Sequence, residues 1–135
     1  MGSDDSVKAA SGVQHNPVPE RLVRGLPTMY CFETCPFCFK VKALLGSRGI
    51  AYSKVEVDPT FKNQLKWSDW RKVPIFVDSD GTQVNDSNHI LHYIDAKNGS
   101  LFPRAGEDPD QDQWMEFSNN VLGKSIVAVI YASYW

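Results

Sequence analysis

Cys35 and Cys38 lie at the junction of a strand-like and a helix-like segment, and this placement is the strongest constraint on the fold. Residues 27–32 (PTMYCF) are typical of a short strand, and residues 36–47 have the apolar spacing of a helix. Cys35 then occupies the N-cap and Pro36 the first helical position, where no N–H donor is needed. Both thiols fall on one face of the first turn, with Cβ atoms about 5–6 Å apart, so modest adjustment reaches disulfide geometry.

The helix start also makes this position chemically reactive. The free N–H groups and partial positive charge of a helix N-terminus favour a thiolate, and cysteines in such motifs have pKa values of about 3.5–7.5. Cys35, at the exposed end, is the expected nucleophile, and Cys38, one turn inside, is the expected resolving thiol. The predicted chemistry is thiol–disulfide exchange through a mixed disulfide.

Two other interpretations of the cysteine pair stay open: structural, unreactive thiols, or half of a zinc site. Zinc needs about four ligands, and because the sequence has no second C-x-x-C motif, His89 and His92 would have to complete the set. Those histidines belong to another predicted helix, where surface positions are common. The third cysteine, Cys31, is predicted to be a small buried hydrophobe of the preceding strand.

Composition is that of one domain without a membrane span. The chain has 135 residues, 42% of them hydrophobic, and a formal net charge of -2, which gives no general electrostatic reason to bind nucleic acid or anionic lipid. All three cysteines fall within eight residues, which excludes a disulfide framework of secreted type. No apolar run approaches the ~20 residues of a membrane span. The sequence does not fix a compartment; we expect a reducing one, cytoplasmic or organellar.

We expect three parts along the chain. Residues 1–24 are rich in Ser, Asp, Gly, Asn and Pro and are predicted to be a flexible tail. Residues 25–104 carry the folded redox domain, and residues 105–135 a helical extension.

Later elements indicate the sheet. They are predicted at residues 52–57 (strand), 58–65 (short helix), 73–77 and 82–84 (hairpin strands with an Asp-Gly turn), 86–97 (helix) and 110–134 (helix). Tyr52, Val55 and Val57 are expected near one side of their strand. The first β-α-β unit implies parallel pairing with a right-handed crossover, and the hairpin adds antiparallel strands. We therefore expect an α/β fold with a mixed four-stranded sheet and helices on both faces.

Three motifs in this order resemble a known family. Residues 34–38 (TCPFC), 71–75 (RKVPI) and 85–87 (NDS) resemble the glutaredoxin-like, N-terminal domain of glutathione-transferase type, and in particular the type-2 membrane-associated prostaglandin E synthase family. The resemblance covers about residues 26–101 and implies a thioredoxin-like fold. The last helical stretch resembles the opening helix of the all-α second domain of glutathione transferases, so we expect a fragment or a divergent short form.

The resemblance implies a glutathione site around the catalytic cysteines Cys35 and Cys38. The expected glutathione-binding residues are Phe37, Lys40, Arg71, Lys72, Val73, Pro74, Asp86 and Ser87. A cis-proline is implied at Pro74, although only ~5–6% of X–Pro bonds are cis. The backbone of Val73 would pair with the cysteinyl unit, and Asp86 with Ser87 would hold the γ-glutamyl end at a helix N-terminus.

For several of these residues a plain structural role is the alternative. Asp86 and Ser87 also suit helix capping. Arg71 and Lys72, implied to grip the glycine carboxylate, also suit a solvated basic turn. Two nearby tryptophans, at positions 67 and 70, are expected to pack the short helix, with ligand stacking as the alternative.

Glu33 is a departure from the family pattern. Members often carry a lysine two residues before the first cysteine, and this chain has Glu33 there. A nearby carboxylate disfavours a thiolate, so Cys35 is expected to be less acidic than in relatives, with activation from the helix end and from Lys40.

Three functions are consistent with these observations. The first is a glutathione-linked thiol–disulfide oxidoreductase acting on small-molecule or protein disulfides, with glutathione as reductant and no metal. The second, implied by the resemblance alone, is a prostaglandin endoperoxide isomerase using the same thiol. The third is a non-catalytic domain that binds glutathione, haem or an iron–sulfur cluster, and dimerisation stays open in each case.

Overall fold

A computed structural model describes residues 25–103 and 106–133. Within these ranges the elements are β1 Thr28–Cys31, α1 Pro36–Ser47, β2 Ser53–Glu56, a 3₁₀ turn Asn63–Leu65, β3 Ile75–Val77, β4 Gln83–Asn85, α2 Ser87–Lys97, α3 Pro109–Phe117, a π-helical turn Ser118–Gly123 and α4 Lys124–Ser133. The expected tail at residues 1–24 and the expected boundary between residues 104 and 105 lie outside the described residues.

The four strands form one mixed sheet in the order β2-β1-β3-β4. β1 pairs with β2 in parallel, and α1 makes the crossover between them. β3 pairs antiparallel with β1 on one side and with β4 on the other, so β3 and β4 form the half of the sheet opposite β2. The predicted α/β class, mixed four-stranded sheet and thioredoxin-like fold are therefore confirmed.

Each face of the sheet has its own apolar core. One core lies under α1 and α2 and contains, among others, Met29, Leu45 and Ile90. The other is smaller and contains Tyr30, Val57, Leu65, Ile75 and Val77, with the rings of Trp67 and Trp70 packed against it. The helix expected over residues 58–65 is reduced to a 3₁₀ turn, which contributes Leu65 to the smaller core.

Two local interactions explain why that helix is short. The Asp58 carboxylate accepts the N–H of Thr60 at 2.9 Å, a side-chain turn that competes with helical hydrogen bonds. Lys62 then has φ 50°, in the left-handed region. Both features interrupt a continuous helix before it completes a second turn.

Three of the four strands are shorter than predicted, β4 has the predicted length, and one expected alignment is wrong. β3 begins at Ile75 because Pro74 has no N–H to donate to a ladder. In the chain around β2, Tyr52 packs with the core under α1, whereas Val55 and Val57 pack in the opposite core. Successive side chains of a strand alternate between faces, so an even and an odd position cannot share one side.

Two buried carboxylates anchor α2. Asp95 accepts hydrogen bonds from the Arg48 guanidinium of α1 and from the N–H groups of residues 101 and 102, at 2.9 and 3.1 Å. Asp78, in the β3–β4 hairpin, accepts from the Tyr93 hydroxyl and the Lys97 ammonium, each at 2.6 Å. These contacts fix α2, and so its N-terminus, against α1 and the hairpin.

Candidate active site

The N-terminus of α1 places the cysteine pair as the sequence predicts. Cys35 is the N-cap, with φ -79° and ψ 118°, and Pro36 is the first helical residue. The Cys35 carbonyl accepts the first helical hydrogen bond from the N–H of Phe39 at 3.1 Å. Cys35 is half-buried at the helix mouth, while Cys38 is fully buried one turn deeper.

The two thiols have opposite electrostatic environments. Cys35 and Cys38 are both free thiols. A hydrogen bond from the Cys38 thiol, with the N–H groups of Cys38 and Phe37 and the charge of Lys42, lowers the pKa of Cys35 to about 7 despite its partial burial. The same hydrogen bond, then burial, raises the pKa of Cys38. This asymmetry makes Cys35 the more readily ionised thiol of the pair and keeps Cys38 protonated.

Cys31 is a third thiol behind this pair. It lies on β1, fully buried in the core under α1. Burial raises its pKa. Its position agrees with the prediction of a small buried hydrophobe.

Two lysines offset the negative charge of the Glu33 carboxylate. Its Oε2 lies 2.6 Å from the Lys54 Nζ and 3.6 Å from the Lys42 Nζ. The hydrogen bond from Lys54 and the charge of Lys42 hold the pKa of Glu33 below its usual value. The lysines offset the charge of Glu33, and Glu33 is not among the principal causes that set the pKa of Cys35. That Cys35 is less acidic than in relatives stays a prediction.

Lys40 does not supply the activating charge. Its ammonium donates to the Asn88 Oδ1 at 2.8 Å and to the Asn119 Oδ1 at 2.6 Å. The lysine that lowers the pKa of Cys35 is Lys42, two residues further along α1. The sequence identified the helix correctly but not which of its lysines acts on the thiol.

A cavity of about 850 Å³ opens beside Cys35. Of the residues the resemblance implied, it is lined by Phe37, Lys72, Val73, Pro74, Asp86 and Ser87, together with Cys35 itself. The Val73–Pro74 bond is cis, as the resemblance implied. The loop before β3 and the start of α2 therefore meet at the thiol, although they are distant along the chain.

Asp86 caps α2 in an unusual backbone conformation. Its carboxylate accepts the N–H of Asn88 at 2.9 Å, so the capping role is confirmed. Its φ is 72°, a region that costs a non-glycine residue about 1–3 kcal/mol and is found mainly at functional sites. The buried Ser87 follows it, so the helix N-terminus and a carboxylate face the same cavity.

Arg71 and Lys72 separate in the structure. The Arg71 guanidinium donates to the carbonyls of Leu65, at 2.9 Å, and of Lys62, at 3.4 Å, so it ties its own loop and does not line the cavity. Lys72 lines the cavity, with its ammonium 5.6 Å from the centre of the Trp70 ring. Lys62, which the sequence analysis did not single out, also lines the cavity.

The two tryptophans also differ in role. Trp67 packs on Tyr30, with ring centres 5.1 Å apart, and its Nε1 donates to the Gln64 carbonyl at 2.7 Å. Trp70 packs on the same core and also lines the cavity. Its buried Nε1 has no hydrogen-bond partner among residues 25–103 and 106–133. The packing prediction is confirmed for both rings.

Another part of the cavity wall comes from the C-terminal helical segment, whose residues the sequence did not point to. The residues are Asn119, Asn120, Lys124, Val127, Ile130 and Tyr131. Those from Lys124 onward recur at spacings of three and four, which places them on one face of a helix. That spacing was a usable signal, but nothing local tells which surface the face will meet.

The remaining expectations concern metals and membranes. In the part of the chain that the structure describes, no group of three or more His, Cys, Asp or Glu side chains is arranged to hold a metal ion, and His89 and His92 do not gather with the cysteines. None of the described helices is both long and apolar enough to cross a bilayer.

Comparison with known proteins agrees with this geometry. The family model for the glutathione S-transferase N-terminal domain matches residues 29–102. Prostaglandin E synthase 2 of Danio rerio is 43% identical over 104 residues, which are 74% of this chain and 26% of that protein. Glutaredoxin 3 of Escherichia coli K12 is 33% identical over 75 residues, 53% of this chain and 87% of that protein.

Among solved structures, rice GST1 in complex with glutathione superimposes with a TM-score of 0.52 at 26% identity, covering 62% of this chain and 40% of that one. The chain therefore spans only part of the length of that structure and about a quarter of the prostaglandin E synthase 2 relative.

Proposed function

Because the chain belongs to the glutathione S-transferase N-terminal domain family, we propose that it is a glutathione-linked thiol–disulfide oxidoreductase with Cys35 as nucleophile. The observation that carries the proposal is the half-buried Cys35 thiol, with its pKa lowered to about 7 by the buried Cys38 thiol, at the wall of a cavity. A thiol with a pKa near the ambient pH is the best attacking group in disulfide exchange.

The reaction follows from the two environments. The Cys35 thiolate attacks the glutathionyl sulfur of a mixed disulfide, which forms a Cys35–glutathione disulfide and releases the other thiol. Either a glutathione thiolate then attacks the glutathionyl sulfur and regenerates Cys35 with release of oxidised glutathione, or the Cys38 thiolate attacks the Cys35 sulfur and releases glutathione as its thiolate. The second route gives a Cys35–Cys38 disulfide, which two glutathione molecules reduce. Cys38 must lose its proton for that route.

The cavity residues have distinct roles in this proposal. The backbone of Val73, beside the cis Pro74, pairs with the cysteinyl unit of glutathione. Ser87 and the N-terminus of α2 receive the γ-glutamyl carboxylate, while Asp86 receives its ammonium. Lys72 binds the glycine carboxylate.

Phe37 and Lys40 contribute to the site in another way. Phe37 forms part of the wall beside Cys35. Lys40 donates to Asn88 of α2 and to Asn119 of the π-helical turn, and it supports the site by joining these two elements to α1. Arg71, held by its own loop, acts by keeping the loop before Val73 in place.

Cysteine variants test the chemistry. Cys35→Ser is expected to abolish glutathione-dependent reduction of a small mixed disulfide, because serine is not a nucleophile at sulfur. Cys38→Ser is expected to retain some activity through the glutathione route, and Cys31→Ala, at a third cysteine outside the cavity, to retain most of it. Full activity in the Cys35 variant contradicts the proposal.

An amide NMR titration with glutathione tests the binding site separately. Shifts are expected at Cys35, Val73, Asp86 and Ser87, and not at Ser79 in the distant hairpin turn. An unchanged spectrum at the first four residues means that the dithiol works without this glutathione site.

A second candidate is a prostaglandin endoperoxide isomerase that uses the same thiol. It is supported by the 43% identity to prostaglandin E synthase 2 of Danio rerio and by the apolar side chains of Val127, Ile130 and Tyr131, which line the same cavity as Cys35. An apolar wall suits a lipid substrate, whereas a small polar disulfide does not require one. Endoperoxide turnover that is unchanged in Cys35→Ser removes this candidate.

A further inference from the structure

Gly123 lies where the C-terminal segment meets the active-site helix. It is the last residue of the π-helical turn and is buried. A Cβ placed on it would lie 2.7 Å from both Cε1 and Cζ of the Phe37 ring, and 3.0 Å from the carbonyl oxygen of Ser118. Cβ atoms essentially never approach ring carbons so closely, so the ring of Phe37 fits there only because residue 123 has no side chain.

A second contact holds the same two elements together. The Lys40 ammonium, one turn further along α1, donates to the Asn119 Oδ1 of the π-helical turn at 2.6 Å. It also donates to the Asn88 Oδ1 of α2 at 2.8 Å. Because Lys40 of α1 bonds to Asn119, the π-helical turn cannot move away from α1 without breaking a partly buried hydrogen bond to a charged group.

Phe37 connects this contact to the nucleophile. Its ring sits against Gly123, and its backbone N–H is one of the groups that donate to the Cys35 sulfur. A side chain in a helix has few χ1 rotamers. A push on the ring therefore passes in part to the backbone of residue 37, and so to the donor that faces Cys35.

We propose that Gly123 and Asn119 are positioning residues for the active site, which hold the first turn of α1 in place through Phe37 and Lys40. In this view the C-terminal helical segment is part of the redox unit and does more than form a wall for substrate. π-Helical turns are rare and often lie at functional sites, which fits a turn that makes room for an active-site ring. The inference rests on the proposed role of Cys35 as nucleophile.

The test is the pH dependence of Cys35 alkylation by iodoacetamide in the full chain, which needs no substrate and no turnover. Gly123→Ala is expected to displace the Phe37 N–H and raise the Cys35 pKa by about 0.5–1 unit, so that alkylation at pH 7 slows about two- to fivefold. Asn119→Ala is expected to shift the profile in the same direction by less, because Asn88 still holds Lys40.

The charges around the thiol are the same in all these variants. They are Lys42 on α1, Glu33 before it, Glu56 at the end of β2, Lys62 and Lys72 in the loop before β3, Asp86 at the start of α2 and Lys124 on α4. A shifted pH profile therefore reports a change in position and not a change in charge.

Two further variants separate positioning from general damage. Gly46→Ala, a glycine of α1 where an added Cβ meets nothing within 4 Å, is the matched control and is expected to leave the profile unchanged. Phe37→Leu removes Cε1 and Cζ of the ring and leaves only the 3.0 Å contact with the Ser118 carbonyl, within the π-helical turn, so Gly123→Ala is expected to shift the profile clearly less in that background.

Each outcome decides something. An unchanged alkylation profile in Gly123→Ala overturns the inference, and so does an equal shift in the Phe37→Leu background. The proposed oxidoreductase activity fails separately: a protein with the predicted shifts and no glutathione-dependent disulfide reduction keeps the positioning role and loses the proposed function.

Discussion

The Cys38 thiol is the largest cause of the lowered pKa of Cys35, and this leads to a quantitative prediction. Cys38→Ala removes the donor. A hydrogen bond to a charged group is worth about 1.5–3 kcal/mol, and one pKa unit corresponds to about 1.4 kcal/mol, so complete loss is worth about 1–2 units. Because Cys35 is only half-buried, water replaces part of the bond, and the lower end is expected.

The expected pKa of Cys35 in Cys38→Ala is therefore about one unit above the value of about 7 in the parent chain. At pH 7 the thiolate fraction falls from about one half to about one tenth, so alkylation by iodoacetamide slows about fivefold. At high pH the alkylation rates of the parent and of Cys38→Ala converge, because Cys35 is then ionised in both proteins. Cys31 does not interfere, since burial keeps its thiol inaccessible.

Cys38→Ser is the matched control for this prediction. Its hydroxyl also donates a hydrogen bond, so its alkylation profile is expected to lie between those of the parent and of Cys38→Ala. A Cys38→Ala protein that is folded by circular dichroism and has an unshifted profile refutes the reasoning. It would mean that the backbone N–H groups of the helix end and the charge of Lys42 set the pKa of Cys35 without the Cys38 thiol.

Three more predictions concern binding and stability. Lys72→Ala is expected to weaken glutathione binding about tenfold by calorimetry, through loss of one charge-assisted contact, and an unchanged Kd contradicts that role. Asp95→Ala is expected to lower the free energy of unfolding in urea by about 3 kcal/mol, because Arg48 loses its buried partner; a loss below about 1 kcal/mol contradicts this. Although burial opposes it, the hydrogen bond from Lys97 holds the pKa of Asp78 below 3.8. A carboxyl with a lowered pKa in the folded protein contributes free energy of unfolding that is present above pH ~4 and is lost as the pH falls through the lowered pKa. Asp78→Asn removes this contribution, so it is expected to flatten the acid limb of a curve of unfolding free energy against pH.

Local chemistry explains what the sequence predicted well. Pro36 after an N-cap cysteine, and Asp86 before an apolar helical stretch, encode their helix starts within a few residues. Both starts are found where they were expected. Because each helix start carries a site residue, the core of the candidate site was visible in the sequence.

Long side chains explain what the sequence did not predict. Lys40 binds Asn119, which is 79 positions away, and Glu33 is neutralised by Lys54, which is 21 positions away. Arg71 folds back onto its own loop instead of reaching the cavity. A flexible charged side chain chooses among partners that only the tertiary structure brings near, so its role cannot be assigned from spacing.

The C-terminal helices show the same limit at a larger scale. Their helical period was readable, but the interruption by a π-helical turn was not. It arises where the segment meets Phe37, a contact between residues 37 and 123. Sequence alone gives the apolar face and leaves its docking surface undetermined.

The most direct test of the account is the covalent intermediate itself. Cys38→Ser protein is incubated with oxidised glutathione at pH 7 and analysed by mass spectrometry with peptide fragmentation. The account predicts one glutathionyl group per chain, located on Cys35, and none in the variant that also carries Cys35→Ser. A glutathionyl group on Cys31, or no adduct at all, contradicts it.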